Sequence, residues 1–431
     1  MSVNWIGRRV ALVAGCRTPF CKSGTAFKDM APAALGALAV RELLSRAELR
    51  PREVEEVVFG TVIPSVLAPN LAREVGLGAS LPATVPAYTV NRACASANQA
   101  ITSAADAIAR GHADVVVAGG AEVLSDIPIL LGRRLRDRLL AASRARTPAQ
   151  KLKAFAGFRP RELVPVTPAI AEPSTGETMG QSAERMAKEN RIPREEQDRW
   201  ALRSHQRAWQ GSEDGRLTQE IAPLFMPPDY SQVVTRDNGI RADTSLEKLA
   251  ALPPVFDRRF GSVTAGNSSP LTDGAAAVLL MSEEKARALG YEPLGFIRSW
   301  AYTALAPSAQ LLQGPAYAVP TALDRAGVAM KDIDLWEMHE AFAAQVLSNL
   351  QALDSDDFAR RELGRPHKVG ILDEERINVM GGSIALGHPF GATGARLTTT
   401  LLNELRRRGG SLGLISVCAA GAMGFAMVIE R

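Results

Sequence analysis

The sequence predicts an α/β protein made of two copies of one unit, the first copy carrying a long and mainly helical insertion. Three observations lead there. Apolar runs alternate with helical patterns, and the runs are continuous, as strands covered on both faces require. An internal repeat aligns without gaps: Val40–Gly60 lies on Val319–His339, so that Leu44, Arg46 and Ala47 meet Leu323, Arg325 and Ala326. Finally, the strand–helix rhythm stops over residues 123–250 and resumes near Phe260. The expected division is a first half from 1–122 and 251–290, an inserted segment at 123–250 and a second half at 291–431.

Taken in order, Arg9–Gly15 is a short apolar run ending at glycine, a buried strand by pattern. Ala31–Ala47 is apolar at helical spacing, and Val54–Phe59 is a strand closed by Gly60. Pro64, Pro69, Pro82 and Pro86 punctuate an irregular stretch, after which Tyr88–Val90 leads to a cysteine, Cys94. A helix is expected over 95–109, stopped at Gly111, and an apolar strand over Ala113–Gly120. In the insertion, Arg133–Arg161 is rich in arginine and lysine with leucines interleaved. This reads either as a solvated helical face with a core stripe or as a basic amphipathic hairpin for anionic lipid or a partner. A polar helix pair on the surface is expected over 181–218. Gly261–Pro270 is a small-residue loop and Ala275–Met281 a strand. The helix after Cys94 has its counterpart at Gly391–Arg408, and the strand Asp114–Ala118 has its counterpart at Leu412–Ser416.

Composition bounds the function. A chain of 431 residues with 46% hydrophobic and 22% charged residues is an ordinary globular protein large enough for several domains. A formal net charge of +4 is too small for a nucleic-acid binder. Four cysteines, Cys16, Cys21, Cys94 and Cys418, form neither a disulfide framework nor a zinc pattern, so no metal is expected and a reducing compartment is. With no signal or transit pattern and no apolar stretch of spanning length, a bacterial cytoplasmic protein is expected.

The chemistry concentrates in four stretches. Asn91–Ile101 sets Cys94 among small residues, which leave room for a carbonyl, just before a helix whose end N–H groups favour a thiolate. By itself that stretch has a plainer reading, an inert buried small residue. The second copy adds His339-Glu-Ala-Phe342, Gly387-His-Pro-Phe-Gly-Ala-Thr-Gly394 and Cys418-Ala-Ala-Gly-Ala-Met-Gly424. His112, His205 and His367 match no motif and are expected to be structural or exposed, and Cys16 and Cys21 inert.

Together the four stretches resemble the thiolase superfamily over essentially the whole chain. They are most similar to the branch in the fatty-acid oxidation multienzyme complex, the β subunit of trifunctional protein and its bacterial counterparts. Ser174–Gly180, Arg236–Arg241 and Leu350–Asp356 look like that branch too, as does histidine at 339 where many thiolases have asparagine. The resemblance implies two βαβαβαββ halves forming a five-layered αβαβα sandwich. It implies degradative 3-ketoacyl-CoA thiolysis on medium to long chains, with acetoacetyl-CoA thiolase working in the condensation direction as the alternative. A decarboxylating condensing enzyme fits less well, since Cys418 is the extra thiol that thiolases use; a non-catalytic scaffold or membrane-anchoring subunit is the reading from another class.

By resemblance, Cys94 is the nucleophile and acyl carrier, and His388 is the base that activates it. Cys418 is the general acid and base, His339 holds an oxyanion-hole water, and the Ala420 backbone N–H serves a second hole. Ala420 stands where the family commonly has glycine, which bears on the local turn. Coenzyme A is expected as co-substrate with no permanent cofactor, touching Met179, Arg241 and Ser269. Expected partners are a second copy of the chain, an enoyl-CoA hydratase/3-hydroxyacyl-CoA dehydrogenase α subunit, and a membrane surface through 130–161.

Overall fold

The computed structural model describes residues 7–166 and 171–431. The first half runs β1 (Val10–Arg17), β2 (Cys21–Lys22), α1 (Pro32–Arg46), β3 (Glu56–Gly60), α2 (Leu71–Gly78), β4 (Ala87–Val90), α3 (Ser96–Ala109) and β5 (Val115–Glu122). The insertion follows with α4 (Arg133–Arg144), α5 (Pro148–Ala154), α6 (Met179–Glu189), α7 (Arg194–Glu213), a small hairpin β6 (Leu224–Phe225) and β7 (Val233–Val234), and α8 (Leu246–Ala250). The chain then returns to the first half as β8 (Thr272–Ser282) and α9 (Glu283–Ala288). The second half is β9 (Gly295–Ala304), α10 (Gly314–Ala326), β10 (Leu335–Met338), α11 (Ala343–Leu353), α12 (Asp356–Glu362), α13 (Ser383–Leu386), α14 (Thr393–Arg408), β11 (Leu412–Ala419) and β12 (Met423–Glu430).

The strand order is β10-β11-β12-β9-β1-β8-β5-β3-β4. It breaks naturally between β9 and β1, which share only two residue pairs, Ala11 with Phe296 and Leu12 with Gly295. On either side the two halves repeat: β3 beside β5 and β10 beside β11 are the matching parallel pairs, as the gapless alignment and the match of Asp114–Ala118 with Leu412–Ser416 predict.

Side chains alternate across a strand, so a continuous apolar run feeds two cores. In β5, Val116 and Ala118 face a central core shared with Ile101 and Ala104 of α3 and Leu397 and Leu401 of α14. Val115 and Val117 face the opposite way, against Leu35, Val40 and Leu43 of α1. The second sheet repeats this, with Ile415 and Val417 turned to the central helices and Leu414 and Val428 turned to α10 and α11. The layers are therefore α1 and α2, the first sheet, α3 with α14, the second sheet, and α10 with α11. This is the expected five-layered sandwich.

The insertion differs from expectation. Helices do occupy 181–218, but α7 is no surface element: Trp200, Ser204, His205 and Ala208 are buried. Trp200 Nε1 and Ser204 Oγ both donate to the Glu340 carboxylate, at 2.9 and 2.8 Å. Polar groups that satisfy one another inside look like a solvated face in the sequence. In the basic hairpin only Leu135 of α4 is buried, while Leu139, Leu140 and Leu152 are exposed, so the leucines do not form a core stripe. Among the described residues no helix is long and apolar enough to cross a membrane.

Candidate active site

Parallel strands bring their carboxyl ends to one edge, where two helices of the central layer begin. Cys94 precedes α3, whose N-cap is Ala95. The turn into the helix is tight. Ser96 Oγ accepts from the Arg92 N–H at 2.8 Å and donates to the Ala93 carbonyl at 2.6 Å. Ala93 takes a left-handed φ of 45°, an uncommon conformation for a residue with a Cβ, and it aims the next side chain. His339 follows β10 and Cys418 lies near the end of β11, the neighbouring parallel strand. His388 sits between α13 and α14, its backbone N–H donating to the Pro270 carbonyl at 3.2 Å. The loop before β8 thus ties the first half to His388, and the Ser269 N–H, donating to the Ala341 carbonyl, ties it to the His339 motif.

The halves meet so closely here that a Cβ at Gly120 of β5 would fall 1.8 Å from the Gly391 carbonyl oxygen. Only glycine permits that approach. Glu122, at the end of the same strand, spans the seam. Its carboxylate accepts from the N–H groups of Val62, Ile63 and Gly391 and from Thr61 Oγ1, at 2.9 to 3.0 Å. Sequence reading missed this residue; an acid closing an apolar strand was the available signal.

A pocket of about 360 Å³ opens on this edge. Cys94, His388, Cys418, Ala420, Met179 and Ser269 line it. Val62, Ile63, Leu124, Ile127, Leu271 and Leu312 make much of the remaining wall apolar. Of the expected contact residues, Arg241 does not line this pocket; its backbone N–H donates to His205 Nδ1 at 3.2 Å, which gives that buried histidine a structural task. His339 is fully buried beside His388, with ring centroids 4.1 Å apart. The Cys94 sulfur, a ring nitrogen of His339 and a ring nitrogen of His388 all lie within 4.8 Å of one another. Zinc accepts the same donor types, so spacing alone does not separate acid–base chemistry from metal binding.

The electrostatics depart from the expected thiolate. Burial is the largest influence on Cys94 and pushes its thiol up to about 11, although backbone N–H groups of Ala420 and of Cys94 itself pull the other way. Burial also holds His388 down to about 3, and His339 well below the ordinary histidine range. Cys418 is raised well above an ordinary thiol by burial and by nearby Cys94. At neutral pH the resting site is therefore uncharged, two thiols and two neutral imidazoles. The alanine at 420 fits its turn, because the left-handed conformations fall on Gly421 and Ala422, with φ of 81° and 55°.

Five layers built from two repeats, with a cysteine from the first half facing His388 and Cys418 from the second, define a thiolase, and the chain belongs to that family. It matches the thiolase N-terminal domain over residues 10–284 and the thiolase C-terminal domain over residues 291–431. Among its relatives are proteins named 3-ketoacyl-CoA thiolase from Erwinia tasmaniensis, 51% identical over 98% of this chain and 97% of that one, and from Pseudoalteromonas translucida, 50% identical with the same coverage. Two solved structures superpose with TM-scores of 0.83. Human mitochondrial 3-ketoacyl-CoA thiolase in complex with CoA is 34% identical and covers 98% of each chain. The Bacillus anthracis acetyl-CoA acetyltransferase is 36% identical and covers 99% of each.

Proposed function

We propose that the protein is a degradative 3-ketoacyl-CoA thiolase, cleaving 3-ketoacyl-CoA with CoA to acetyl-CoA and a shortened acyl-CoA. The observation that carries this is the convergence of Cys94, His388 and Cys418 on one apolar-walled pocket. Cys94 gives its proton to His388 as its sulfur adds to the C3 carbonyl. The C2–C3 bond breaks, and Cys418 protonates the departing acetyl-CoA enolate. His339, through a water, and protonated His388 hold the enolate oxygen. The Ala420 and Cys94 backbone N–H groups hold the oxygen of the tetrahedral intermediates. The Cys418 thiolate then takes the proton of incoming CoA. The CoA sulfur attacks the acyl group, and His388 returns the proton to Cys94. Raised thiols and lowered imidazoles suit this order, since each proton moves only when substrate is present to receive the charge. Met179 and Ser269 line the CoA approach, and Arg241 contacts the nucleotide end.

The apolar wall favours medium to long acyl chains over the acetoacetyl-CoA alternative, and it yields a measurable expectation. Thiolysis of a C16 3-ketoacyl-CoA should match or exceed that of the C4 substrate in kcat/KM. A strong C4 preference would transfer the assignment to an acetoacetyl-CoA thiolase.

The cellular setting follows the same reading: a cytoplasmic homodimer working with a hydratase/dehydrogenase α subunit, with the hairpin at 130–161 resting on anionic membrane. Exposed Leu139, Leu140 and Leu152 among basic residues support that contact. Co-sedimentation with vesicles containing phosphatidylglycerol should fall when residues 130–160 are removed. Equal sedimentation of both forms would sink the membrane role.

A further inference from the structure

Two imidazoles stand side by side at this site, His388 lining the pocket and His339 fully buried against it, and for both the Nε2 atom is buried with no partner among the described residues. Their Nδ1 atoms are held differently. His339 Nδ1 lies 2.8 Å from Ser383 Oγ, on α13. Ser383 Oγ also receives a hydrogen bond from Arg396 Nη2 of α14 at 3.0 Å, and Arg396 Nη1 pairs with Glu337 at 3.2 Å. All four side chains are buried.

The hydrogen count is closed. A guanidinium only donates, so Ser383 Oγ accepts from Arg396. The hydroxyl has one proton, and His339 Nδ1 is the acceptor beside it. Were Nδ1 protonated, Ser383 Oγ would accept from both Nδ1 and Arg396, and the serine proton would be buried without either of them as acceptor. A cationic His339 is disfavoured by burial, by His388 and by Arg396. One arrangement pairs both the serine hydroxyl and Nδ1: Ser383 O–H donates to Nδ1, and the ring proton sits on Nε2. His388 is wired in the opposite sense. Its Nδ1 is 2.6 Å from Thr393 Oγ1, which lies 3.2 Å from the Pro389 carbonyl four residues back. With the threonine proton directed to that carbonyl, His388 keeps its proton on Nδ1 and its Nε2 lone pair free.

We propose that Ser383, clamped by Arg396 and Glu337, is a positioning residue that locks His339 as the Nε2–H tautomer, so that His339 presents a hydrogen-bond donor beside an acceptor, His388. The consequence for catalysis rests on the thiolase reading: a fixed donor can hold the water over the enolate oxygen without turning its own ring. The tautomer itself does not depend on that reading.

The test therefore begins without substrate. Protein labelled with 15N-histidine is examined by NMR, with His339→Asn identifying the His339 signals. The expected spectrum has a protonated Nε2 and a bare Nδ1 at His339. Ser383→Ala should lose that pattern and Ser383→Thr, which keeps the hydroxyl, should retain it. A wild-type His339 protonated at Nδ1 would overturn the proposal, as would an unaltered tautomer in Ser383→Ala. In the thiolysis assay, Ser383→Ala should lower kcat by about 10²-fold, the order lost with one oxyanion-hole donor, with KM nearly unchanged and Ser383→Thr largely active. If the tautomer behaves as stated but no variant changes thiolysis, it is the thiolase reading of His339 that fails.

Discussion

Replacing Cys94 by serine should lower thiolysis by roughly 10⁴-fold or more, because the acyl intermediate can no longer form on sulfur. An alkoxide is far harder to generate than a thiolate, because a hydroxyl is a much weaker acid than a thiol. The variant should fold normally, since an oxygen replaces a sulfur beside the pocket without new volume. Retained turnover with native melting behaviour would exclude Cys94 as the acyl carrier. The native thiol supplies an independent check. Its proton is lost only towards pH 11, so in resting enzyme the alkylation of Cys94 by iodoacetamide should be slow at neutral pH and climb steadily through the alkaline range. A rate already at its plateau near pH 7 would mean a resting thiolate–imidazolium pair instead. With the folded thiol raised, ionisation above an ordinary thiol pKa also costs folding stability, so alkaline pH should destabilise the enzyme as well as activate the sulfur.

The second large effect is on stability. Arg17 at the end of β1 is fully buried and donates to Glu220 at 2.8 Å and to both oxygens of Asp237 at 2.7 and 2.9 Å. Thr400 of α14 donates to the same Glu220 carboxylate, and the Phe20 backbone N–H donates to Asp237. Arg17 thus ties the first half to the insertion, and Glu220 ties the insertion on to the second half. Arg17→Met should cost about 3–5 kcal/mol, because two carboxylates are left buried without their cation. A thermal melt should show a large drop, and limited proteolysis should cut first between α7 and α8. A melting temperature within a degree of wild type would show that water or protons replace the pair easily. Adding Glu220→Gln and Asp237→Asn to Arg17→Met should recover part of the loss.

What could be read in the sequence depended on how far apart the partners lie. The strands were legible because burial on both faces leaves continuous apolar runs, as at Val115–Ala118. The repeat gave the match of α1 with α10, whose register survives in Leu44, Arg46 and Ala47, and beyond it the match of α3 with α14. Cys94, His388 and Cys418 stood out as motifs, and they do meet at one pocket. The misses share a cause. Arg17 with Asp237, Glu122 with Gly391, and Trp200 with Glu340 are polar contacts between distant segments. A polar residue whose partner is far along the chain carries the same local pattern as a solvated one. The thiolate expectation failed for a related reason: the helix end is visible in sequence, whereas the burial that outweighs it is a property of the assembled layers.

The seam between the halves also sets a timetable. β12 lies between β9 and β11, so the second sheet cannot close until that last strand has been made. Cys94 leaves the ribosome early, whereas Cys418 and the Ala420 N–H come late; at about 5–20 residues per second the interval is roughly 15 to 65 s. Through most of that interval Cys94 lacks its base, and throughout it the pocket wall is incomplete. The nascent chain carries an ordinary thiol, and its chemistry is switched on by completion of the sheet, which confines acyl transfer to finished molecules.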